Sequence, residues 1–142
     1  MSFTPEEVAY LRSQPLARIA TVAEDGQPDV VPVSYRFDGT AFLIGGWSPA
    51  KTRRHGNVRA GNVKVALVVD DLTPGERWSP RMLRVYGTAE LLTTRGADGP
   101  SEVMRVTPLI SWSFNLGGGG DPLRDGPRRQ VHRPRAAGDS AV

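Results

Sequence analysis

Apolar positions in this chain recur mostly at every second residue or in short β-branched runs, and turn residues punctuate them at close intervals. ARIATVAE (residues 17–24) and VVPVSYRF (30–37) are two such runs, separated by the turn signal Glu24-Asp25-Gly26-Gln27-Pro28. A second turn at Asp38-Gly39 leads into AFLIGG (41–46), so the pattern predicts a three-stranded antiparallel meander. VKVALVVDD (63–71) is nearly continuous in β-branched residues, the mark of a strand covered on both faces. RMLRVYGTAELL (81–92) reads as a strand with Gly87 as a bulge where a barrel wall bends, and residues 103–114 supply a last strand interrupted by Pro108.

Two helices break this pattern. Thr4 and Glu7 have capping-box spacing, Pro5 sits at the first helical position and Phe3 can staple onto Val8, which predicts a helix ending between Arg12 and Pro15. Ser48-Pro49 reads as an N-cap followed by proline at the first helical position, opening a second helix through about Ala60 that Gly61-Asn62 terminates. Six short antiparallel strands with two brief helices predict a mainly β fold, a small antiparallel barrel, because closing the sheet removes its exposed edges.

Composition changes abruptly after Leu116, where four glycines are followed by Asp, Pro and Arg with almost no large apolar residues. Such a segment cannot offset its ordering entropy by burial, so residues 1–116 are expected to form one domain and 117–142 a disordered tail. A length of 142 residues suits a single core. No apolar run approaches the roughly 20 residues of a membrane span, and the N-terminus has neither a basic region nor an apolar stretch of signal-peptide length, which leads to the expectation of a cytoplasmic protein off the membrane. The absence of cysteine excludes disulfides, iron–sulfur ligation and thiol chemistry, and with only His55 and His132 as imidazoles no metal site is expected. Of the net charge of +3, two units lie in the tail, since residues 1–116 carry 13 Lys+Arg against 12 Asp+Glu. The body is nearly neutral, which argues against a nucleic-acid partner.

The chain also lacks a GxSxG elbow, a phosphate-binding Walker loop, an HExxH motif and any pair of carboxylates spaced for acid–base work. Asp70-Asp71 is the nearest candidate and reads as a solvated turn. With no catalytic side chain to name, hard chemistry would have to come from a cofactor that the protein binds and orients. The positive signal is SPAKTRRHGNV (48–58): Lys51, Arg53 and Arg54 fall in the first turn and a half of the predicted second helix, where cations oppose the helix dipole. Stability alone would favour acidic residues there. Helix-terminal amides, the hydroxyls of Ser48 and Thr52, and one or two of these cations make a candidate phosphate site, against the plainer reading of a solvated basic helix end. Lys51 and Arg54, three apart, share a helix face, whereas Arg53 points elsewhere. His55 reads first as a packing residue, and Trp78 and Trp112 as core or interface anchors that could instead cover a planar ring.

The order and wording of these segments resemble the pyridoxamine-phosphate-oxidase-like split-barrel superfamily, in particular its F-420-dependent oxidoreductase branch. The matching pieces are ARIATVAEDGQPDVVPVSYRFDG (17–39), IGGWSPAKTRRHGNV (44–58), VALVVDDL (65–72), RVYGTAELL (84–92) and the closing VTPLISWSFN (106–115). The resemblance implies a six-stranded antiparallel split β-barrel, homodimeric, with cofactor clefts at the interface built from both chains. It implies that Ser48, Lys51, Thr52, Arg54 and Asn57 hold the cofactor phosphate, although the family places the asparagine closer to the arginine than here. The ring is then expected against Val33, Ser34, Ile44, Gly45 and Gly46, with Trp78 and Trp112 available to cover it. The implied activity is hydride transfer from reduced coenzyme F-420, a deazaflavin, to a small conjugated substrate. FMN in the same cleft, or a non-catalytic carrier of flavin, haem or tetrapyrrole, stays open as an alternative. Vitamin B6 oxidation is disfavoured, because the tail carries no aromatic or ordered closing motif.

Overall fold

Local sequence sets the first element of the computed structural model, which describes residues 3–46, 48–75, 77–121 and 124–133. The Thr4 hydroxyl accepts from the Glu7 amide (3.1 Å) while the Glu7 carboxylate accepts from the Thr4 amide (2.9 Å), starting helix α1, Pro5–Ser13. The strands that follow are β1 (Ala17–Val22), β2 (Pro28–Val33), β3 (Arg36–Phe37) and β4 (Phe42–Ile44). After helix α2 (Arg53–Arg59) come β5 (Lys64–Leu72), β6 (Pro80–Gly96), β7 (Gly99–Phe114) and β8 (Arg128–Val131). All pairings are antiparallel, in the order β2-β1-β5-β6-β7-β4-β3, with β8 also on β7. The fold is mainly β and antiparallel, as the residue pattern anticipates, and is the split barrel that the resemblance implies. No helix among the described residues is long and apolar enough to cross a membrane.

The strand count is eight where six were expected, for two physical reasons. The run 30–37 is divided because Ser34 and Tyr35 leave the ladder with β1; the Tyr35 hydroxyl donates to the Leu11 carbonyl, and the chain crosses to pair with β4. The second reason corrects the disordered tail, since residues 128–131 form β8 against 110–113 of β7. Apolar burial does little there, and polar partners do the holding. His132 shares a hydrogen bond of 2.7 Å with buried Ser111, its ring lies 4.3 Å from that of Phe3, and Arg128 pairs with the buried Glu7 carboxylate at 3.3 Å. Asn115 fixes the chain before it, donating to the Pro80 carbonyl at 2.9 Å. Residues 122–123 and 134–142 of that tail lie outside the described residues.

Alternate strand residues point into one core: Ile19, Leu67, Val69, Leu83, Val85, Met104, Val106, Phe42 and Ile44 are each at most 1% exposed. Phe3 from the α1 entry packs edge-on to Phe37 (5.4 Å) and Phe42 (6.2 Å). Asp70 and Asp71, expected in a solvated turn, stand instead on β5 opposite Met82 and Arg81 of β6. Asp71 accepts from the Tyr10 hydroxyl (2.8 Å) and from Arg81 Nε (2.9 Å), clamping α1 to the β5–β6 hairpin, and Asp70 pairs with Arg18.

Gly87 does mark a bulge. Tyr86 is opposite Ile110 but Gly87 is opposite Pro108, so Leu109 is the extra residue, and its carbonyl accepts from the His132 amide (2.8 Å). At Gly87 the two strands approach so closely that a Cβ would lie 2.6 Å from the Thr107 carbonyl oxygen. Beyond the barrel β6 and β7 continue as an arm to Gly96 and Gly99. Glu102 on this arm takes hydrogen bonds from His55 Nδ1 (2.8 Å) and Arg59 Nη2 (2.7 Å), pinning the arm to α2. His55 is fully buried, and its Nε2 is buried without a partner.

Gly87→Ala is therefore expected to cost about 1–3 kcal/mol of stability through backbone displacement, read from the midpoint of urea unfolding. An unchanged midpoint would contradict the close approach. The arm contact has its own signature. Burial, opposed by the hydrogen bond to Glu102, holds the His55 pKa below its ordinary 6.5, and the His55 hydrogen bond, against some desolvation, holds Glu102 below 4.5. As the pH falls below about 6.5 the unfolded chain takes up a proton that folded His55 resists, so stability declines with acidification, and below about 4.5 the Glu102 contribution is lost in turn. His55→Gln should flatten the stability profile just below about pH 6.5; a slope equal to that of the parent would show that His55 is not its source.

Candidate functional site

Strand β4 ends at buried Ile44, and the chain turns outward through Gly45 and Gly46. Gly46 has φ +112°, and a Cβ there would sit 3.1 Å from Arg54 Nη2, so both backbone and space call for glycine. Ser48 is left-handed (φ 43°, ψ 56°), exposed, and makes no capping bond with its side chain. Pro49–Lys51 is a single 3-10 turn, and Thr52 is extended. Thr52 is the true cap of α2: its hydroxyl donates to the Pro49 carbonyl (2.7 Å) and accepts from the His55 amide (3.4 Å). The single helix expected to start at Ser48 is thus two pieces, because the Thr52 side chain offers the next amides a better acceptor than continued winding would. The three-residue spacing that placed Lys51 and Arg54 on one helix face does not apply across this break.

The three cations have different surroundings. Lys51 and Arg53 are exposed, neither has an ion-pair partner among the described residues, and the first turn of α2 carries no acid. Arg54 is half-buried and donates from Nη2 to the Gly45 carbonyl (3.0 Å), while its Nε is buried without a partner among the described residues. Burial pushes the Arg54 pKa down against a pull from Asp29. Arg54 therefore braces the Gly45–Gly46 turn from below, and Lys51 and Arg53 are the cations open to solvent. Asn57 donates its side-chain amide to Thr21 (2.9 Å), tying α2 to β1.

Of the residues expected at a site, Ser48, Lys51, Thr52, Arg54, Gly45 and Gly46 come together in this turn. Val33 and Ile44 bury their side chains in the core and offer only backbone. Ser34 is exposed, and extending the register in which Arg36 faces Leu43 brings it opposite Gly45. Trp78, 76% exposed, is at the far end of the β5–β6 hairpin, about 26 Å from the α2 end at roughly 3.3 Å per residue. Trp112 lies on the outward sheet face, with Arg84 4.3 Å over its ring and Tyr86 edge-on at 4.8 Å. Neither tryptophan adjoins the 48–57 segment of its own chain. No group of three or more potential metal ligands occurs among the described residues.

One feature was hidden in the strand pattern. The run 63–71 was expected to be covered on both faces, yet within the chain the outer face of β5 is open. Across six strands the register aligns Val30, Ala20, Ala66, Tyr86, Ile110 and Val131 in one outward row, with Val30 65%, Tyr86 47% and Val131 46% exposed. Beside it Arg18, Arg84 and Arg129 alternate with Pro32, Val68 and Trp112.

Residues 3–109 match the family model for pyridoxamine 5'-phosphate oxidase. A 5a,11a-dehydrotetracycline/5a,11a-dehydrooxytetracycline reductase from Streptomyces rimosus is 37% identical over 123 residues, covering 80% of this chain and 85% of the relative. Among solved structures, an F-420 reductase superposes with a TM-score of 0.52 at 24% identity, over 69% of this chain and 90% of its own. An FAD-binding protein from Mesorhizobium loti gives 0.59 at 20% identity, over 78% and 94%. At such identities these two structures establish the shared fold alone. The extent of the family match and the identity to the reductase, on a split barrel with the same order of elements, place this chain in the pyridoxamine 5'-phosphate oxidase family.

Proposed function

We propose that this protein is a reductase that binds reduced coenzyme F-420 and passes a hydride to a small conjugated molecule. The observation that carries the reading is that Lys51 and Arg53 are exposed and have no carboxylate partner among the described residues, in the turn after β4 that also holds the unused Ser48 hydroxyl. Two exposed cations and a free hydroxyl in one short turn suit a phosphate, which they would hold by charge-assisted hydrogen bonds. The backbone of Gly45 and Gly46, unencumbered by side chains and braced by Arg54, offers a flat edge for a ring. Hydride transfer between two planar molecules needs mainly proximity and orientation, in keeping with a turn rich in binding groups and poor in acids and bases. The Streptomyces rimosus relative is named for the reduction of a conjugated polycyclic compound, which supports the direction of the reaction.

The working unit in this reading is a homodimer. The outward row from Val30 to Val131 is an apolar strip of the kind that a second copy covers. Trp78 and Trp112, remote from the site of their own chain, are then candidates to complete the neighbour's.

Lys51→Ala should weaken F-420 binding by about 1.5–3 kcal/mol, a ten- to hundredfold rise in Kd by fluorescence titration. An unchanged Kd, or a parent protein that takes up FMN and ignores F-420 when both are titrated, overturns the assignment. Tyr86→Asp should convert the dimer to monomer in sedimentation velocity, because it buries a charge at the centre of the apolar row. A parent that sediments as a monomer, or a variant that stays dimeric, removes the proposed interface.

A further inference from the structure

A groove of about 590 Å³ opens beside Gly45 on the outer side of the barrel, between β3, β4 and the β6–β7 arm. Its floor is apolar: Leu43, Leu92 and Val103 are the outward-facing neighbours of inward Ile44, Leu91 and Met104. Arg36, paired in register with Leu43, and Arg105, opposite Leu43 on the other side, stand along it. The volume falls within the range of small-molecule sites.

Charge in the groove is uneven. Arg105 is neutralised by an ion pair with Glu90. Asp38 is committed to its own turn, accepting from the amides of Thr40 (2.9 Å) and Ala41 (2.8 Å) and from the Thr40 hydroxyl (3.0 Å). Arg36 is exposed and has no ion-pair partner among the described residues, so its guanidinium donors stand unused at the rim of an apolar trough while the Asp38 carboxylate is turned to its own loop. The far wall is held in place by Glu102, next to Val103, through its bonds to His55 and Arg59. Gly45 belongs both to this groove and to the turn that Arg54 braces.

Resting on the reductase reading, we infer that this groove is the acceptor subsite: it takes an apolar, flat, polycyclic molecule and pairs Arg36 with a delocalised oxyanion on it, an ionised enol or a carboxylate. A guanidinium fork matches two such oxygens in one plane, and the trough supplies the area that a single ion pair at the surface lacks. Leu92 and Val103 set which ring systems fit. The position beside Gly45 lets one molecule lie in the groove and meet another held at the Gly45–Ser48 turn.

Tetracycline, a flat polycycle with an ionisable enol system, is the probe. It is titrated by fluorescence in chelator-containing buffer into the full-length protein and into Arg36→Ala, Arg36→Gln and Val103→Trp, with F-420 titrated in parallel and folding checked by thermal melting. The parent should bind tetracycline saturably, both Arg36 variants about tenfold or more weakly, and Val103→Trp not measurably, while the F-420 Kd stays within about twofold. No saturable binding to the parent, or parent-like affinity in any folded variant, overturns the assignment. Tetracycline binding that depends on Arg36 in a protein that ignores F-420 would support the groove and sink the reductase reading, so the two fail separately.

Discussion

The close approach of β6 and β7 at Gly87 is the constraint on which the other features depend. With a side chain there the Thr107 carbonyl could not come within reach, and the offset that leaves Leu109 unpaired would be lost. That offset divides the far edge of β7. Residues 104–106 carry β4 and with it the Gly45 turn, whereas 110–113 carry β8, whose end is tied to the bulge by the hydrogen bond from His132 to Leu109. The same two strands run on as the arm that reaches α2 through Glu102. One narrow contact thus organises the turn that carries the site, the wall beside it and the closing strand.

The site itself is built from competition between a helix and its caps. Thr52 stops the 3-10 turn and starts α2, which leaves Lys51 outside the helix and Ser48 with an unused hydroxyl. Arg54 gives up part of its hydration to hold the Gly45 carbonyl, and its buried Nε finds no acceptor among the described residues. A buried unpaired donor is costly, and such a cost persists where the surrounding structure requires the position. Here the requirement is a glycine turn held open beside two free cations.

Alternation along each strand accounts for the two faces of the sheet. Every strand sends one set of residues inward, so a β-branched run such as 63–71 needs a second apolar layer only if its outer face is also covered. Within the chain it is not, and the outward row through Ala66 and Tyr86 remains available for association. The arginines flanking that row keep it solvent-compatible in the free chain, Arg84 by lying across Trp112 and Tyr86.

Strand periodicity, the capping box at Thr4 and Glu7, the Gly87 bulge and the cation-rich segment at 48–58 were all legible in the residues, because each is a local rule that acts within a few positions. The family was legible too, through the collinear wording of five segments. What the residues alone left undecided depends on partners distant in the chain. Arg54 belongs to Gly45, Asn57 to Thr21 and His55 to Glu102, and only the folded sheet brings these together. Strand β8 looked like part of an unordered tail because composition measures apolar burial, whereas its hold comes from Ser111, Glu7 and the vacant edge of β7. The sequence by itself determined which face of each strand is apolar and where the cations gather; the tertiary structure decided which cations stay free, since pairing is a matter of three-dimensional neighbours and not of spacing.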